Sequence, residues 1–416
     1  MRAPIRILWT TNIVLPSAAK DFGLPGTPFG GWLQSLLSCL ADESGLRLGV
    51  AMRADVKSHR KLVKDGIDYH VFPSSIRNRH DIDPGVCAHI LEDFSPDVLH
   101  AHGSEMASTA RFLSMWQGPK MLSLQGILAG IRPMLNGGGT IGINSLADVA
   151  MAATLWAKSR FVFIPRLKAE TACLELADVV LGRTAWDRAH AMAINPRARY
   201  MRSGEILREA FFAKHWSSAQ KTPHTLFLGN ASVPLKGAHV ALRALAVLKR
   251  TYPAVMLKVA GPRPGIGGSA WSSYPGHLHR LISRLGLERN VEFLGVLDTD
   301  AMAGQMARSH VYILPSLIEN SPNTLGEAMA MGVPAVCAFV GGVPSIAADE
   351  KDALFYNATE HVMLAAQIGR LFESEALCEM LSTNARVRAL RDHDRAAIVA
   401  SVIDAYRHLA TPGRSS

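Results

Sequence analysis

The chain has 416 residues, 48% of them apolar and 19% charged, the balance of a soluble enzyme with enough length for two to three domains and cores of their own. Its 44 Lys and Arg against 35 Asp and Glu leave a net charge of +9, which suits an anionic substrate or an acidic membrane surface. Nucleic acid is disfavoured, because the basic residues cluster only around Arg53–Lys64 and Arg197–Arg208 and no aromatic-rich RNA-type motif accompanies them.

The first ten residues, MRAPIRILWT, hold too short an apolar stretch for a signal peptide. Short apolar runs then alternate with helical patterns, the mark of parallel α/β sheets. In the first half the pattern predicts strands at Ile5–Trp9, Leu46–Met52, Tyr69–Phe72, Asp97–Ala101, Met121–Leu124, Val179–Gly182 and, weakly, Arg199–Met201. Behind the pair Gly30-Gly31, Leu33, Leu36, Leu37 and Leu40 fall at helical spacing. The segment 211–223 (FFAKHWSSAQKTP) is polar and ends in proline, and reads as a linker. A second series follows at Thr225–Leu228, Met256–Ala260, Val291–Phe293, Val311–Leu314 and Ala335–Ala338, and the tail from Asp394 to Leu409 is helical by pattern. Five cysteines lie far apart with no Cys-x-x-Cys pair, so they read as core residues of a reducing cytosol rather than as a disulfide framework or zinc site. Nowhere do eighteen apolar residues run together, so the expectation is a soluble cytoplasmic protein, or one peripheral on the inner membrane face.

The most informative stretch is ILPSLIENSPNTLGEAMAMGVPAVCAFVGGVPS. An apolar strand ends at Pro315, and a short polar loop carries Glu319. A helix is expected from near Asn323, carrying Glu327 and stopping at Gly332 and Pro334. One carboxylate thus lies at the mouth of a helix N-terminus and the other about a turn inside it. Amide N–H groups and a positive dipole end, flanked by two acceptors, fit a phosphorylated sugar.

This run, with Pro-Ser before the first glutamate and Gly-Gly-Val-Pro after the second strand, resembles the Glu-x7-Glu motif of the retaining glycosyltransferases of family 4. The likeness is strong from Thr225 to Ile346 and looser before it. It implies an α/β protein of the GT-B fold, with two Rossmann-like doubly wound domains facing a central cleft. The corresponding domains are an acceptor-binding domain at 1–210, a nucleotide-sugar-binding domain at 222–390, and a C-terminal helix at 391–416 that crosses back to the first.

The resemblance also implies roles for individual residues. Lys236, in the pair Lys236-Gly237, meets the donor diphosphate, and the amides near Thr324 and Leu325 share that anion. Glu319 holds sugar hydroxyls and offsets charge at the anomeric carbon, while Glu327 takes the ribose hydroxyls. His102, in DVLHAHGSE, stands near the donor sugar or the acceptor hydroxyl; His100 is assigned to the opposite face and to the core. Gly31 lets the backbone approach the phosphates. Gly261 sits in the second nucleotide loop, and Val296 and Leu297, after Gly295, offer backbone groups to the base. Three departures stand out. Asn230 occupies the place of a usual arginine, Arg263 follows Gly261 where it could supply that missing charge, and Pro322 replaces a glycine whose contact falls to the Asn323 side chain.

The implied reaction is transfer of a sugar, with retention, from a nucleoside diphosphate sugar, UDP-sugar favoured, to a glycan or lipid-linked acceptor in surface polysaccharide synthesis. It needs no cofactor and no bound metal. Asp81-Ile-Asp83 and Asp298-Thr-Asp300 fit a metal-binding Asp-x-Asp, but they read as a turn and as helix caps. Gly137–Gly142 spells a dinucleotide fingerprint without a preceding strand, and reads as a loop over the acceptor cleft. The Gly- and Ser-rich stretch after Arg263 reads as a mobile insertion. Arg53, Arg60, Lys61 and Lys64 are expected either to touch an anionic bilayer or to form a solvated face. Two other functions stay open: a non-catalytic nucleotide-sugar-binding partner in a polysaccharide assembly complex, which Asn230 favours, and a nucleotide-sugar epimerase or hydrolase of the same fold.

Overall fold

A computed structural model describes residues 3–25, 30–74, 80–261, 263 and 272–411. The chain forms two compact units, one of Met1–Leu128, Ile164–Ile206 and Asp394–Ser416, the other of Ala129–Phe163 and Leu207–His393.

The first unit is built on an eight-stranded sheet of β1 (Ile5–Thr11), β2 (Leu46–Arg53), β3 (Arg60–Lys64), β4 (Ile67–Phe72), β5 (Val98–His102), β6 (Lys120–Ser123), β7 (Val179–Gly182) and β8 (Arg199–Arg202). Their order is β3-β4-β2-β1-β5-β6-β7-β8, parallel except where β3 pairs antiparallel with β4. Side chains alternate across the sheet as a period of two requires. Ile7 and Trp9 enter one core with Leu33, Leu37 and Leu40 of helix Gly31–Ala41, and Leu8 enters the other with Ile90 and Phe94 of helix Pro84–Phe94. The first core is completed by helix Arg395–Ala410, whose Tyr406 hydroxyl accepts a hydrogen bond from Trp9 Nε1 at 2.8 Å.

The second unit holds a six-stranded, wholly parallel sheet of β9 (Thr225–Leu228), β10 (Met256–Val259), β11 (Val291–Phe293), β12 (Val311–Leu314), β13 (Ala335–Ala338) and β14 (Leu354–Tyr356), in the order β11-β10-β9-β12-β13-β14. Strands β9, β12, β13 and β14 are buried along their whole length, as strands covered by helices on both faces must be, while β10 and β11 at one edge carry Lys258 and Glu292.

Two strands escape the sequence pattern. β3, Arg-Lys-Leu-Val-Lys, is disguised by its charges, which suit an antiparallel edge that must not recruit another strand. β14 is three residues long and too short to stand out.

Residues 129–163, expected in the first domain, belong to the second unit. The cause is a buried polar anchor. Asp148, fully buried on helix Leu146–Lys158, accepts from His277 Nδ1 at 2.9 Å and Arg280 Nη2 at 2.6 Å, both on helix Tyr274–Arg284. These donors, with Ser145 and the Asn144 amide, hold the Asp148 carboxyl well below the usual range although burial alone would raise it. The glycine loop before that helix turns through three left-handed residues, Gly137, Gly138 and Gly139. It is fixed to helix Ala238–Leu248 by Thr140, whose hydroxyl lies 2.6 Å from His239 Nε2 and whose carbonyl accepts from Arg243 Nη1 at 2.6 Å. The loop is thus a fixture of the second unit. Of the Gly- and Ser-rich insertion, 264–271 lie outside the described residues, and Ser273 caps the helix that follows.

Candidate active site

In the second unit the site is assembled where β9 and β12 end, the usual ligand position in parallel sheets. After β12 the chain leaves at Pro315, passes through Glu319 and enters helix Asn323–Met331, which is closed by Gly332 in the left-handed conformation. After β9 a short turn, Pro234–Lys236, delivers Lys236 to the same place. Its Nζ lies 2.5 Å from Glu319 Oε1, which also accepts from Ser316 Oγ at 2.7 Å.

Two glycines make that meeting possible. Gly237 has φ +69°, and a Cβ on it would strike the Pro315 carbonyl; beside it the Leu317 amide donates to the Leu235 carbonyl at 2.8 Å. Gly341 has φ +48°, and a Cβ there would strike the Glu319 carbonyl, which accepts instead from the Gly342 amide at 3.0 Å. The Lys-Gly pair and the Gly-Gly turn therefore fix the backbone on either side of the ion pair.

At the helix mouth Pro322 offers no cap, and the Leu325 amide bonds the Pro322 carbonyl at 3.0 Å, so it is not the anion donor expected of it. The amides of Asn323 and Thr324, ahead of it in the first turn, are the ones with no place in the helical ladder. Thr324 Oγ1 accepts from the buried Tyr312 hydroxyl at 2.8 Å, and Gly229 packs beside it with room for a Cβ only at contact distance. Asn323 Oδ1 is buried and has no hydrogen-bond partner. An unpaired buried acceptor at the mouth of the site is a place for a hydroxyl donor.

Glu327 is 2% exposed, and both its oxygens are held by one guanidinium: Arg208 Nε reaches Oε1 at 2.7 Å and Nη2 reaches Oε2 at 2.8 Å. Arg208 also lies over Phe211, 4.6 Å from the ring centre, and donates to Thr299 Oγ1 at 3.3 Å. Burial raises the Glu327 carboxyl above its ordinary range, and Arg208 opposes that shift. Sequence reasoning missed Arg208. Its partner is 119 residues away, and the only nearby signal was the basic cluster Arg197–Arg208, which points to no particular partner.

The remaining donor-side residues are dispersed. Asn230 is exposed and turns its Oδ1 back to the Ser232 amide at 2.8 Å, so it presents no charge. Gly261, at φ +119°, donates its amide to Gly295 O at 2.8 Å, bridging two loops; Arg263 is exposed. Val296 is 78% exposed, while Leu297 is half-buried against the core. Asp298 and Asp83 each cap a helix through their side chains.

In the first unit β5 ends at His102. Residues two apart share a face, so His100 and His102 lie on the same side of the sheet, not on opposite sides, with ring centres 3.9 Å apart. His100 is bonded to Tyr406 Oη at 2.7 Å and Ser123 Oγ at 2.6 Å. His102 lies against Trp9, with ring centres 4.2 Å apart and planes tilted by 55°, and has neither ring nitrogen bonded, though it is 1% exposed. Burial holds the His102 pKa far below its ordinary value, with His100 and Arg183 adding to the effect, so the ring is neutral. Beside it is a small pocket with about 20 Å³ of room, enough for one water, lined by Trp32, Ser123, Arg183 and Glu205 among others. Arg183 pairs with Glu205 at 2.5 Å and lies over Trp32. Gly31 opens helix Gly31–Ala41 after the left-handed Gly30, and a Cβ on Gly31 would meet open space, so the protein itself does not require glycine there.

The four basic residues expected as a bilayer contact are each engaged. Lys61 pairs with Asp93 at 2.6 Å, Lys64 with Asp21 at 2.7 Å, Arg60 donates to the Phe22 carbonyl at 2.9 Å, and Arg53 to Ser74 at 3.2 Å. Among the described residues no helix is long and apolar enough to cross a membrane.

The two parallel-sheet units define an α/β protein of the GT-B fold. Sucrose-phosphate synthase from Thermosynechococcus elongatus superposes with a TM-score of 0.70 at 15% identity, covering 97% of this chain and 99% of its own. HepE of Anabaena in complex with UDP and glucose gives 0.69 at 18%, covering 97% and 100%. By sequence, residues 209–388 match the family of glycosyl transferases group 1. A D-inositol 3-phosphate glycosyltransferase of Streptomyces griseus is 30% identical over 164 residues, 39% of this chain and 34% of that protein. A glycogen synthase of Mycobacterium tuberculosis is 25% identical over 206 residues, 48% and 47% of the two chains. The match thus spans a third to a half of the length of these relatives.

Proposed function

We propose that this chain transfers a sugar, with retention, from a nucleoside diphosphate sugar to a hydroxyl of a glycan or lipid-linked acceptor, in the synthesis of a surface polysaccharide. The observation that carries the reading is the meeting of Lys236 and Glu319 at the open mouth of helix Asn323–Met331. A diphosphate leaving group gains negative charge as the anomeric bond breaks. A cation and helix amides aimed at it stabilise the transition state more than the ground state. Lys236 supplies the cation, and the amides of Asn323 and Thr324 supply the donors. Glu319, released from Lys236 as the phosphate takes its place, faces the positive charge that develops at the anomeric carbon, as a carboxylate does in glycoside chemistry. The Asn323 Oδ1 acceptor suits a sugar hydroxyl. Departing phosphate can take the acceptor proton on the same face, so no enzymic base is needed. Glu327 is the ribose ligand in this reading, and it binds ribose while sharing its charge with Arg208.

UDP is the favoured donor nucleotide, by analogy with the HepE complex named above. Calorimetric titration with UDP, GDP and ADP, followed by a donor-turnover assay and NMR of the product anomer, tests the reading. Inverted product, or no stabilisation by any of the three, overturns it. Glu327→Ala is expected to weaken nucleotide binding and Glu319→Ala to lower turnover at little-changed affinity.

One observation favours a second reading. Asn230, folded back on Ser232, brings no cation to the donor, as a binding partner without catalysis would tolerate. Nucleotide binding with no donor turnover would select it.

A further inference from the structure

Residues 129–163 are anchored to the second unit on one side only. Met151 is buried in the core of that unit and Leu155 packs against it, with Asp148 held by His277 and Arg280 on the same side. The other side is apolar as well. Of the fourteen large apolar side chains that are exposed among the described residues, six lie between 143 and 162: Ile143, Leu146, Val149, Trp156, Phe161 and Val162. Leu146 is 81% exposed, Trp156 60% and Phe161 68%. At about 3.6 residues per turn, Leu146, Val149, Ala153 and Trp156 form one stripe along helix Leu146–Lys158. A π-helical turn, Ser159–Phe163, carries the stripe on, with Phe161 edge-on to Trp156 at 6.4 Å. Apolar surface so concentrated marks a surface that is covered in use.

The charges around the stripe are of one sign. Lys158 and Arg160 are exposed, and the only acid in 129–163 is Asp148, buried and already paired. An aromatic and aliphatic face rimmed by Lys and Arg is the pattern of a segment lying in a lipid interface. A second copy of this chain fits less well, because a two-fold contact through this face brings the same basic rim against itself.

We infer that the exposed face of helix Leu146–Lys158, continued through Phe161 and Val162, docks on the surface of an anionic bilayer. Leu146, Val149, Trp156 and Phe161 enter the acyl boundary, and Lys158 and Arg160 rest on the headgroups. This contact lies on the second unit, whereas Arg53, Arg60, Lys61 and Lys64 lie on the first. It does not depend on the transfer reading, and its test contains no nucleotide sugar, so either can fail alone.

The test is sedimentation of the full chain with vesicles of phosphatidylcholine alone or mixed with phosphatidylglycerol, at low and high salt. Wild type is expected to bind the mixed vesicles, with binding reduced by salt, and to leave pure phosphatidylcholine largely unbound. The double variant Leu146→Gln with Trp156→Gln, checked for an unchanged melting temperature, is expected to lose binding by about tenfold or more. Should that variant fold poorly, Arg160→Glu with Lys158→Glu changes exposed charge alone and is expected to weaken binding to the mixed vesicles only. Brominated lipid should quench tryptophan emission in wild type and much less in Trp156→Phe. The inference is overturned by wild type that stays in the supernatant, or by variants that bind as wild type does. It is equally overturned if the face instead supports a concentration-dependent dimer that the same substitutions abolish without any vesicle binding.

Discussion

In the second unit, Lys236 reaches Glu319 and Arg208 grips both oxygens of Glu327, so two cations and two carboxylates hold one another in place. In the first unit, His102 lies buried against Trp9 with neither ring nitrogen bonded and no charge on it. The contrast separates two ways of preparing a polar site. Paired charges keep their geometry and their ionisation, but an incoming anion must displace a carboxylate to use the cation. A desolvated imidazole keeps an open hydrogen-bonding position at the cost of charge, so it suits a neutral hydroxyl and not a phosphate.

Lys236→Ala tests that contrast most directly. Removing a donor aimed at developing charge typically costs about 3 kcal/mol of barrier, so turnover should fall by a factor on the order of 100 or more with the melting temperature nearly unchanged. Turnover within a few-fold of wild type would mean the cation is spoken for by Glu319 throughout.

Arg208→Ala strands a buried carboxylate. Breaking a buried pair costs about 3–5 kcal/mol, and the third of the Arg208 side chain that meets water lowers the expectation to about 2–3 kcal/mol. Adding Glu327→Gln should return part of it, and denaturant titration of the four proteins gives the coupling. A coupling near zero would make the contact decorative.

Acid should act through the histidines of both units. Burial holds His100 at about 3 and His70 at about 4 in the first unit, and His239 at about 3 and His310 at about 4 in the second. Each lies below its ordinary 6.5, so below that pH the unfolded chain takes up protons that the folded chain refuses. Stability is full above pH 6.5 and declines as pH falls toward 4 and 3, by about 1.4 kcal/mol per pH unit for each group at the steepest. Calorimetric scans from neutral to mildly acid pH check this. Because His102 is neutral throughout, the turnover profile should show no limb near 6.5 that His102→Gln removes; such a limb would break the contrast between the two units.

The smallest effect is expected at Asn323. Asn323→Ala deletes an acceptor with no partner, so stability should hold or rise by about 0.5 kcal/mol, while KM for the donor rises several-fold. An unchanged KM would show that no hydroxyl is received there.

Much of this was readable from the chain. Val179–Gly182, Thr225–Leu228, Val311–Leu314 and Ala335–Ala338 are strands with the bounds their apolar runs suggest, because strands buried on both faces write themselves as uninterrupted apolar segments. The frame around Glu319 and Glu327 was equally plain, since Gly237 and Gly341 stand where only glycine fits. Contacts made at long range were not. Arg208 meets Glu327 across 119 residues, and Asp148 meets Arg280 across 132 and so draws 129–163 into the other unit. No local period records such pairings. β3 failed for the opposite reason: its edge charges erase the alternation that would reveal it.

The chain passes between the two units four times, and the first unit is finished only by helix Arg395–Ala410. Trp9 donates to a hydroxyl 397 residues later. At a translation rate of about 5–20 residues per second, that separation amounts to some 20 s or more. Through that interval β1 is present without Val402 and Tyr406 to cover it, and the His100 ring without one of its two partners. During synthesis, therefore, one face of the first sheet is only partly covered, and a chaperone that binds apolar strands has its longest opportunity there, not on the contiguous stretch from Leu207 to His393.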